Sequence, residues 1–210
     1  APMVLANMRR ADHDLSKPER LSSCGRPSPW VHMALLDGDG NEVAKGEPGE
    51  ICVRGPLVMK GYKDMPEQTA EAFAGGWLHT GDVGRLDEYG FLYIVDRTKD
   101  MIVTGGFNVF PREVEDVLGT HEAVAQVVVI GVPDEQWGEA VKAVVVLKPG
   151  HEASDELVAS MHQLVKEAKG SVQAPKSIDF VDAIPLTPVG KPDKKTVRAQ
   201  YWAGSDRGVG

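Results

Sequence analysis

Cysteine and long apolar runs are what this 210-residue sequence has least of. It has two cysteines, Cys24 and Cys52, which excludes a disulfide framework and a cysteine-based zinc site. Its longest apolar run, residues 124–132, is interrupted by a glutamine and a glycine, so we predict no membrane span. Residues 1–4 show no charged leader followed by an apolar block, so we expect no secretory signal and a reduced, cytoplasmic setting.

Positive charge is also scarce. With 23 Lys and Arg against 31 Asp and Glu, the formal net charge is −8, which argues against a nucleic-acid-binding protein that depends on phosphate neutralisation. The histidines are scattered, and no predicted helix places two of them on one face, so we predict no metal site. Asp37, Asp39 and Asn41 imitate the start of a calcium loop. However, Glu42 and Pro48 stand where that loop requires Gly and Glu, so we interpret the segment as a hairpin turn.

The composition that is present is that of a globular protein, with 42% hydrophobic and 26% charged residues. The first half is predicted to be β-rich, because short alternating segments are separated by tight turns. Among them is a β-hairpin around residues 87–90, and one short helix ends near Gly75 and Gly76. Residues 97–100 are polar and show no periodicity, which is typical of a joint between two parts of a chain.

After this joint the pattern becomes α+β. Pro111 begins a predicted helix, and residues 126–132 and 141–147 are β-branched runs suited to buried strands. Ser154 caps the most clearly amphipathic helix of the chain, whose apolar positions follow a helical spacing. Residues 204–210 are expected to be a frayed tail.

Several polar residues in the first half carry candidate chemistry, and each also has an ordinary structural interpretation. Asp82 follows a glycine at the mouth of a predicted strand, where a carboxylate can accept hydrogen bonds from two adjacent hydroxyls, as on a ribose. A turn or cap is the alternative. Arg97 ends a predicted strand and could bind ribose or phosphate oxygens, or form a surface ion pair with Asp96 or Asp100. Lys99 is either a hinge position in a domain rotation or a solvated lysine.

The second half holds comparable signals. Gly105 and Gly106 either let the backbone approach a ligand or form a plain turn. Trp137, in a predicted loop, either stacks on an aromatic ligand or covers a small core. Lys191, on a proline-rich loop, presents a long cation that can neutralise charge on a phosphate. The alternative for it is a solubilising loop lysine, of the kind that we expect for Lys194 and Lys195.

The order of these signals resembles the adenylate-forming superfamily, which includes acyl- and aryl-CoA synthetases, adenylation domains of peptide synthetases and luciferases. Residues 49–56 look like the family's Gly-Glu-(x)-Arg-Gly segment, and residues 77–82 look like its Trp-x-x-Thr-Gly-Asp motif. Residues 96–115 are similar to its hinge motif, and residues 185–191 to its terminal Pro-x-x-x-x-Gly-Lys motif. The resemblance therefore runs over nearly the whole chain.

The resemblance implies an α+β fold in three parts. Residues 1–96 would be the last β-rich, distorted barrel-like subdomain of a large AMP-binding domain. Residues 97–100 would be a hinge, and residues 101–210 a mobile C-terminal domain. The implied enzyme is a fatty-acid–CoA ligase, in which a fatty or aryl carboxylate attacks Mg-ATP to give acyl-AMP and pyrophosphate, and CoA then displaces AMP.

The resemblance also implies roles for individual residues. Asp82 and Arg97 would bind the ribose of ATP or AMP, and Lys99 would be the hinge. Lys191 would be the catalytic residue, contacting the carboxylate substrate and phosphate during adenylation. The residues implied for the pantetheine tunnel and the CoA nucleotide are Gly105, Gly106, Trp137, Gly138 and Lys176.

Two departures from the family pattern are visible. Val172 and Gln173 precede Pro175-Lys176, where the family often has an aromatic and a basic residue that help to hold CoA. This leaves open a carrier protein as the acyl acceptor. The chain also lacks the family's phosphate loop and the segment with its magnesium-binding glutamate. We therefore expect the Mg²⁺ ligand to lie outside this chain, and the chain to be the C-terminal, separately inactive part of a longer enzyme. If the chain is complete, a non-catalytic binding module is the alternative.

Overall fold

The structure, a computed structural model, describes residues 5–202. The chain divides into two compact units, Ala1–Thr98 and Lys99–Gly210. The missing leader at residues 1–4 and the frayed tail at residues 204–210 are expectations that lie outside the described residues. None of the helices within residues 5–202 has the length and apolar character that a bilayer crossing requires.

In its described part, residues 5–98, the first unit is built from short strands and one α-helix. These elements are, in chain order, β1 (Ala6–Asn7), β2 (Arg26–Pro27), β3 (His32–Leu36), β4 (Gly49–Arg54), α1 (Pro66–Ala72), β5 (Leu78–Leu86) and β6 (Leu92–Arg97). Strands β3 to β6 form an antiparallel sheet in which each strand pairs with the next, and β1 pairs with β2 apart from it. Within residues 5–202 the outer strands β3 and β6 do not pair with each other, so this sheet is open and does not form a closed barrel.

The core of the first unit follows from the alternation of its strands. Leu35 of β3, Ile51 and Val53 of β4 and Leu92 of β6 point to one face, where they form the main apolar cluster. Cys52 points to the opposite face, where it is fully buried beside Ala34 and Leu36. The hairpin predicted around residues 87–90 is confirmed as the connection between β5 and β6.

Within residues 99–202, the second unit contains a five-stranded mixed sheet and three α-helices. These elements are, in chain order, β7 (Ile102–Thr104), β8 (Phe107–Val109), α2 (Pro111–Leu118), β9 (Val124–Asp134), β10 (Gly138–Leu147), α3 (Asp155–Lys169), β11 (Ser177–Phe180) and α4 (Lys194–Trp202). Strand β10 pairs antiparallel with β9 and β7 and parallel with β11, and β8 extends the sheet beyond β7. The predicted α+β character is confirmed.

Helices cover both faces of this sheet, because alternate residues of β9 and β10 point to opposite sides. Val129 packs in one cluster with Met161 of α3 and with residues of α2. Val128 and Val144 pack in another cluster with Val197 of α4. The β-branched runs predicted as buried strands are therefore confirmed, and they supply both cores.

Two predicted helix starts are confirmed in the second unit. Helix α2 begins at Pro111, and the Ser154 hydroxyl accepts a hydrogen bond from the Leu157 N–H (3.2 Å) at the start of α3. Two further elements are not predicted by the sequence patterns: the β7–β8 hairpin, and helix α4 after the proline-rich loop. Both carry or adjoin predicted site residues.

Candidate functional site

Asp82 and Arg97 lie directly opposite each other on the antiparallel strands β5 and β6. The Arg97 Nε atom is 3.2 Å from Asp82 Oδ1, and the two side chains are 60% and 36% exposed. An ion pair this exposed contributes at most about 1 kcal/mol to folding stability, so the pair remains available to a ligand. The ion pair considered for Arg97 with Asp96 or Asp100 is replaced by this one, while the Arg97 backbone N–H donates to Asp96 Oδ1 (2.8 Å).

The sequence suggests that Asp82 lies at the mouth of a strand, and this expectation is wrong. Asp82 lies within β5, beside a bulge. On β4, Glu50 and Cys52 are two residues apart, whereas their partners on β5, Val83 and His79, are four apart. The residues between them therefore leave the regular ladder. This irregularity is not visible in the alternation of apolar residues, and so the sequence analysis missed it.

Side chains replace the ladder hydrogen bonds that the bulge interrupts. Thr80 Oγ1 donates to the Ile51 carbonyl (2.8 Å) and accepts from the Asp82 N–H (3.1 Å). Gly81 adopts φ +72°, in the left-handed region that favours glycine. Threonine thus performs the turn-stabilising role that was the ordinary interpretation of Asp82, which leaves the Asp82 carboxylate facing Arg97.

Beside the bulge, Glu50, Cys52 and His79 bring one potential metal-ligand atom each to within 4.8 Å of one another. No metal site is predicted by the sequence, and hydrogen bonds account for these three groups. His79 Nδ1 lies 2.8 Å from one Glu50 oxygen, and the other oxygen accepts from the Gly81 N–H (2.9 Å). Burial, and then the negative charge of Glu50, raise the pKa of the Cys52 thiol to about 12, so at neutral pH this thiol is protonated.

Lys191 lies near the end of a tight loop whose backbone is held by hydrogen bonds. The Thr187 N–H donates to the Lys191 carbonyl (2.7 Å), and the Lys191 N–H donates to the Thr187 hydroxyl (3.1 Å). Leu186 and Pro192 form an isolated bridge that closes the loop. The Lys191 side chain is exposed, and its ammonium forms no ion pair with any residue in the described range 5–202. The loop therefore fixes the backbone of Lys191 and leaves its charge free.

Helix α4 ties this loop to the sheet. Lys194 forms a largely buried ion pair with Glu115 of α2 (2.8 Å), and Arg198 forms another with Glu139 of β10 (2.7 Å). The expectation that Lys194 is a solubilising loop lysine is therefore wrong. Asp193 caps the helix through Thr196 (3.1 Å), and hydrogen bonds from that residue hold the pKa of the Asp193 carboxyl below its usual range. This cap was the sequence signal that could have revealed α4.

Gly105 and Gly106 form the turn of the β7–β8 hairpin, with φ values of +56° and +82°. The Gly105 N–H donates to the Trp137 carbonyl (2.9 Å), and a Cβ atom at Gly105 would lie 2.5 Å from the indole ring. Gly138, next in the chain, pairs with Thr104. Four of the residues implied for CoA thus lie together, around one glycine turn backed by a 46% exposed tryptophan.

The two remaining predicted residues lie elsewhere. Lys176 is exposed just before β11, and its backbone N–H donates to the Val141 carbonyl (2.8 Å) further along β10. Lys99 is exposed in a short 3-10 helix, Thr98–Asp100, at the point where the chain divides into its two units. The roles implied for both residues stay predictions.

Comparisons with known proteins agree with the motifs. The AMP-binding enzyme model matches residues 2–63, and the model of the AMP-binding enzyme C-terminal domain matches residues 113–191. The chain is 58% identical, over its whole length, to a medium/long-chain-fatty-acid–CoA ligase of Mycobacterium tuberculosis, and covers 37% of that protein. It is 40% identical, over 90% of its length, to a fatty acid–[acyl-carrier-protein] ligase of Streptomyces coeruleorubidus, and covers 36% of it.

Among solved structures, the amide bond synthetase McbA of Marinactinospora thermotolerans superposes with a TM-score of 0.80 and is 41% identical. The match covers 94% of this chain and 39% of that one. The chain thus spans somewhat more than a third of the length of these relatives. The two matched models and the shared fold confirm the resemblance, and the chain belongs to the AMP-binding, adenylate-forming enzymes.

Proposed function

We propose that this chain is the part of an AMP-forming acid–thiol ligase that holds the nucleotide sugar and delivers a mobile cation. The complete enzyme joins a carboxylate to ATP, which releases pyrophosphate and forms acyl-AMP. It then transfers the acyl group to the thiol of CoA and releases AMP. The observation that carries this proposal is the exposed Asp82–Arg97 pair (3.2 Å), which two separate family motifs bring together.

The pair suits a nucleotide sugar because its two halves are complementary in chemistry. The Asp82 carboxylate is acceptor-only and can take hydrogen bonds from two neighbouring hydroxyls, while the Arg97 guanidinium supplies donors in a fixed plane. The contact between them orients the carboxylate before a ligand arrives, which lowers the entropic cost of binding. We assign both residues to nucleotide binding.

Lys191 is the residue that we assign to the adenylation chemistry. Its exposed ammonium has no ion-pair partner within residues 5–202, and the Thr187 hydrogen bonds hold its backbone. A cation in this state can stabilise the negative charge that moves onto phosphate oxygens when the carboxylate attacks. Lys99, at the boundary of the units, is proposed as the hinge that moves this lysine away before thioester formation.

For the second step we assign the glycine turn of the β7–β8 hairpin to the pantetheine arm of CoA. Gly105 and Gly106 present backbone without side chains, so a narrow ligand can pass close to it. Trp137 and Gly138 adjoin the turn, and the exposed Lys176 could meet a phosphate of the CoA nucleotide. The fatty-acid specificity stated for the relative from M. tuberculosis supports a fatty acid as the carboxylate, and hence a role in lipid metabolism.

Mg²⁺ accompanies ATP in enzymes of this kind, but the described residues do not fit a site for it. Mg²⁺ prefers carboxylate and water oxygens in an octahedral arrangement. The cluster of potential ligands found in residues 5–202 combines Glu50 with a buried thiol and an imidazole, and the Asp82 carboxylate is paired with Arg97. These residues are therefore assigned no step through the metal, and the expectation that its ligand lies outside this chain stays a prediction.

The test measures pyrophosphate release by the complete gene product that contains these residues. ATP is supplied together with medium-chain, long-chain or aryl acids. We expect release that requires both ATP and an acid, and that Asp82→Ala lowers by raising the KM for ATP. The proposal would be refuted if the enzyme released no pyrophosphate with any acid, or if Asp82→Ala left the KM for ATP unchanged.

A carrier protein is the second candidate for the acyl acceptor. The S. coeruleorubidus relative is named as an acyl-carrier-protein ligase, and Val172 and Gln173 replace the residues that often grip CoA. Thioester formation with CoA and with a phosphopantetheinylated carrier protein, measured side by side, separates the two.

We infer a cytoplasmic location, where ATP and CoA are available and where Cys24 and Cys52 remain as the free thiols that they are here.

A further inference from the structure

One carboxylate holds the bulge that presents Asp82. Glu50, on the neighbouring strand β4, accepts a hydrogen bond from the Gly81 N–H at Oε1 (2.9 Å) and lies 2.8 Å from His79 Nδ1 at Oε2. Its side chain is 21% exposed, and that of His79 is 27% exposed. Glu50 thus contacts the residues on both sides of Thr80, and Gly81 is the immediate neighbour of Asp82.

Packing does not hold Gly81 in place. A Cβ atom built on Gly81 would meet no atom within 4 Å, so close packing around this position is not what requires its conformation. Its backbone is also in the left-handed region (φ +72°), one of several conformations open to glycine. The hydrogen bond that the Gly81 N–H donates to Glu50 (2.9 Å) therefore favours the observed conformation.

His79 in turn orients the Glu50 carboxylate. Its Nδ1 faces Glu50, and its Nε2 lies 3.2 Å from the carbonyl of Ala74, two residues after the end of α1. The imidazole thus lies between the carboxylate and the Ala74 carbonyl, and because both are acceptors, a ring with one N–H donates to one of them and contacts the other. Both oxygens of Glu50 have a neighbour, the Gly81 N–H at one and the His79 ring at the other.

We propose that Glu50 is a positioning residue for the nucleotide site, acting on Asp82 through the Gly81 amide. This inference rests on the proposed function, since it assumes that Asp82 contacts the ribose. Without Glu50, Gly81 would sample other conformations, and only part of the population would present Asp82 to the sugar. The affinity for ATP would fall by that fraction, while the chemical step at saturating ATP would be preserved.

The test compares two substitutions that keep the length of the Glu50 side chain. Glu50→Gln retains an oxygen that accepts from the Gly81 N–H, and its amide N–H₂ can donate to His79 Nδ1 when the imidazole proton is on Nε2. Glu50→Met fills the same space and accepts neither bond. Glu47→Met, at an exposed position before β4, is the matched control for adding a methionine.

All variants are measured in the complete gene product by steady-state kinetics. Glu50→Met is expected to raise the KM for ATP about 10-fold, the effect of losing one hydrogen bond to a charged group. Its kcat at saturating ATP and its KM for the acid should stay within about twofold of those of the unmodified enzyme. Glu50→Gln and Glu47→Met should leave all three constants within about twofold, because the Gly81 acceptor is retained in both.

The outcomes separate this inference from the proposed function. If Asp82→Ala raises the KM for ATP and Glu50→Met does not, the role of Glu50 is wrong and the function stands. If Asp82→Ala has no effect, the function itself fails. Equal effects of Glu50→Met and Glu50→Gln, or a fall in kcat with an unchanged KM, would indicate a general structural role and overturn the inference.

A measurement on the unmodified protein tests the same point if Glu50→Met does not fold. The Gly81 amide should exchange its hydrogen more slowly than the Gly75 amide, because Gly75 is an equally open left-handed glycine (φ +61°) in the same unit. Exchange at Gly81 as fast as at Gly75 would remove the basis of the proposal.

Discussion

The two units of this protein hold their principal site residues in opposite ways. In the first unit, Asp82 is fixed through its backbone by Thr80 and through its side chain by Arg97. In the second unit, the backbone of Lys191 is fixed by Thr187, while its ammonium has no ion-pair partner in residues 5–202. A nucleotide sugar stays bound through both proposed half-reactions, whereas a charge-stabilising cation is needed in only one. The side chain that is held in place thus belongs to the residue proposed for both half-reactions, and the free side chain to the residue proposed for one.

The sharpest way to break this comparison is to remove the free cation. Lys191→Ala should lower the rate of acyl-AMP formation by about 10²- to 10³-fold, as expected for loss of one charge-stabilising group in a transition state. Thioester formation from supplied acyl-AMP should persist, because that step does not use the lysine. Pyrophosphate release and thioester formation are measured separately, with Lys195→Ala, an exposed lysine of α4, as the control. An equal loss in both half-reactions would contradict the assigned role.

Asp82→Asn should impair both half-reactions, whereas Lys191→Ala should impair only the first. This difference is what distinguishes Asp82 from Lys191. The amide keeps the shape of the side chain but loses the charge that strengthens hydrogen bonds to the sugar, so we expect affinity for ATP and acyl-AMP to fall about 10- to 30-fold. Equilibrium binding of both ligands gives the effect directly. A loss confined to acyl-AMP formation would place Asp82 in the same class as Lys191 and remove the contrast.

The sequence reveals these two site residues unequally. Alternation and turn residues predict the β5–β6 hairpin that brings Asp82 opposite Arg97, since antiparallel pairing follows from the hairpin itself. The bulge at Gly81 could not be predicted, because it depends on a carboxylate from another strand. Helix α4 was missed because the lysines at its start suggest a solvated loop, whereas Lys194 is neutralised by Glu115 from a distant helix. A contact between residues remote in the chain accounts for the missed bulge, whereas the Asp193 cap, a local signal, could have revealed α4.

The glycine turn of the second unit tests whether its order is confined to the backbone. Gly105→Ala places a Cβ atom 2.5 Å from the Trp137 ring and also requires φ +56°. We expect it to destabilise the protein by about 2–4 kcal/mol, the sum of left-handed strain and overpacking. Thioester formation should fall more than adenylation. Thermal unfolding and the two separate half-reactions measure these effects.

Gly150→Ala is the matched control for this substitution. Gly150 is a left-handed glycine (φ +91°) in the same unit, and an added Cβ there would meet no atom within 4 Å. Strain alone should therefore cost about 1–2 kcal/mol and leave both half-reactions alike. If the two alanine variants were equally stable, the clash of the added Cβ with Trp137 would not contribute to the loss of stability.

The smallest effect concerns the ion pair that anchors α4, and through it the Lys191 loop. Glu115→Gln keeps an acceptor for the Val129 N–H (2.8 Å) but removes the charge facing Lys194, whose side chain is 22% exposed. We expect a loss of about 1–2 kcal/mol in the free energy of unfolding, because the ammonium remains shielded from water without its partner. Asp116→Asn on the same helix removes an exposed pair with Arg112, whose side chains are 64% and 65% exposed, and should change stability by less than about 0.5 kcal/mol. Chemical denaturation of both variants compares them directly.

Adenylation should fall with Glu115→Gln and not with Asp116→Asn, since only the former removes the ion pair that anchors α4 next to the Lys191 loop. Unchanged adenylation in both would mean that α4 supports the fold of the second unit without contributing to the placement of its cation.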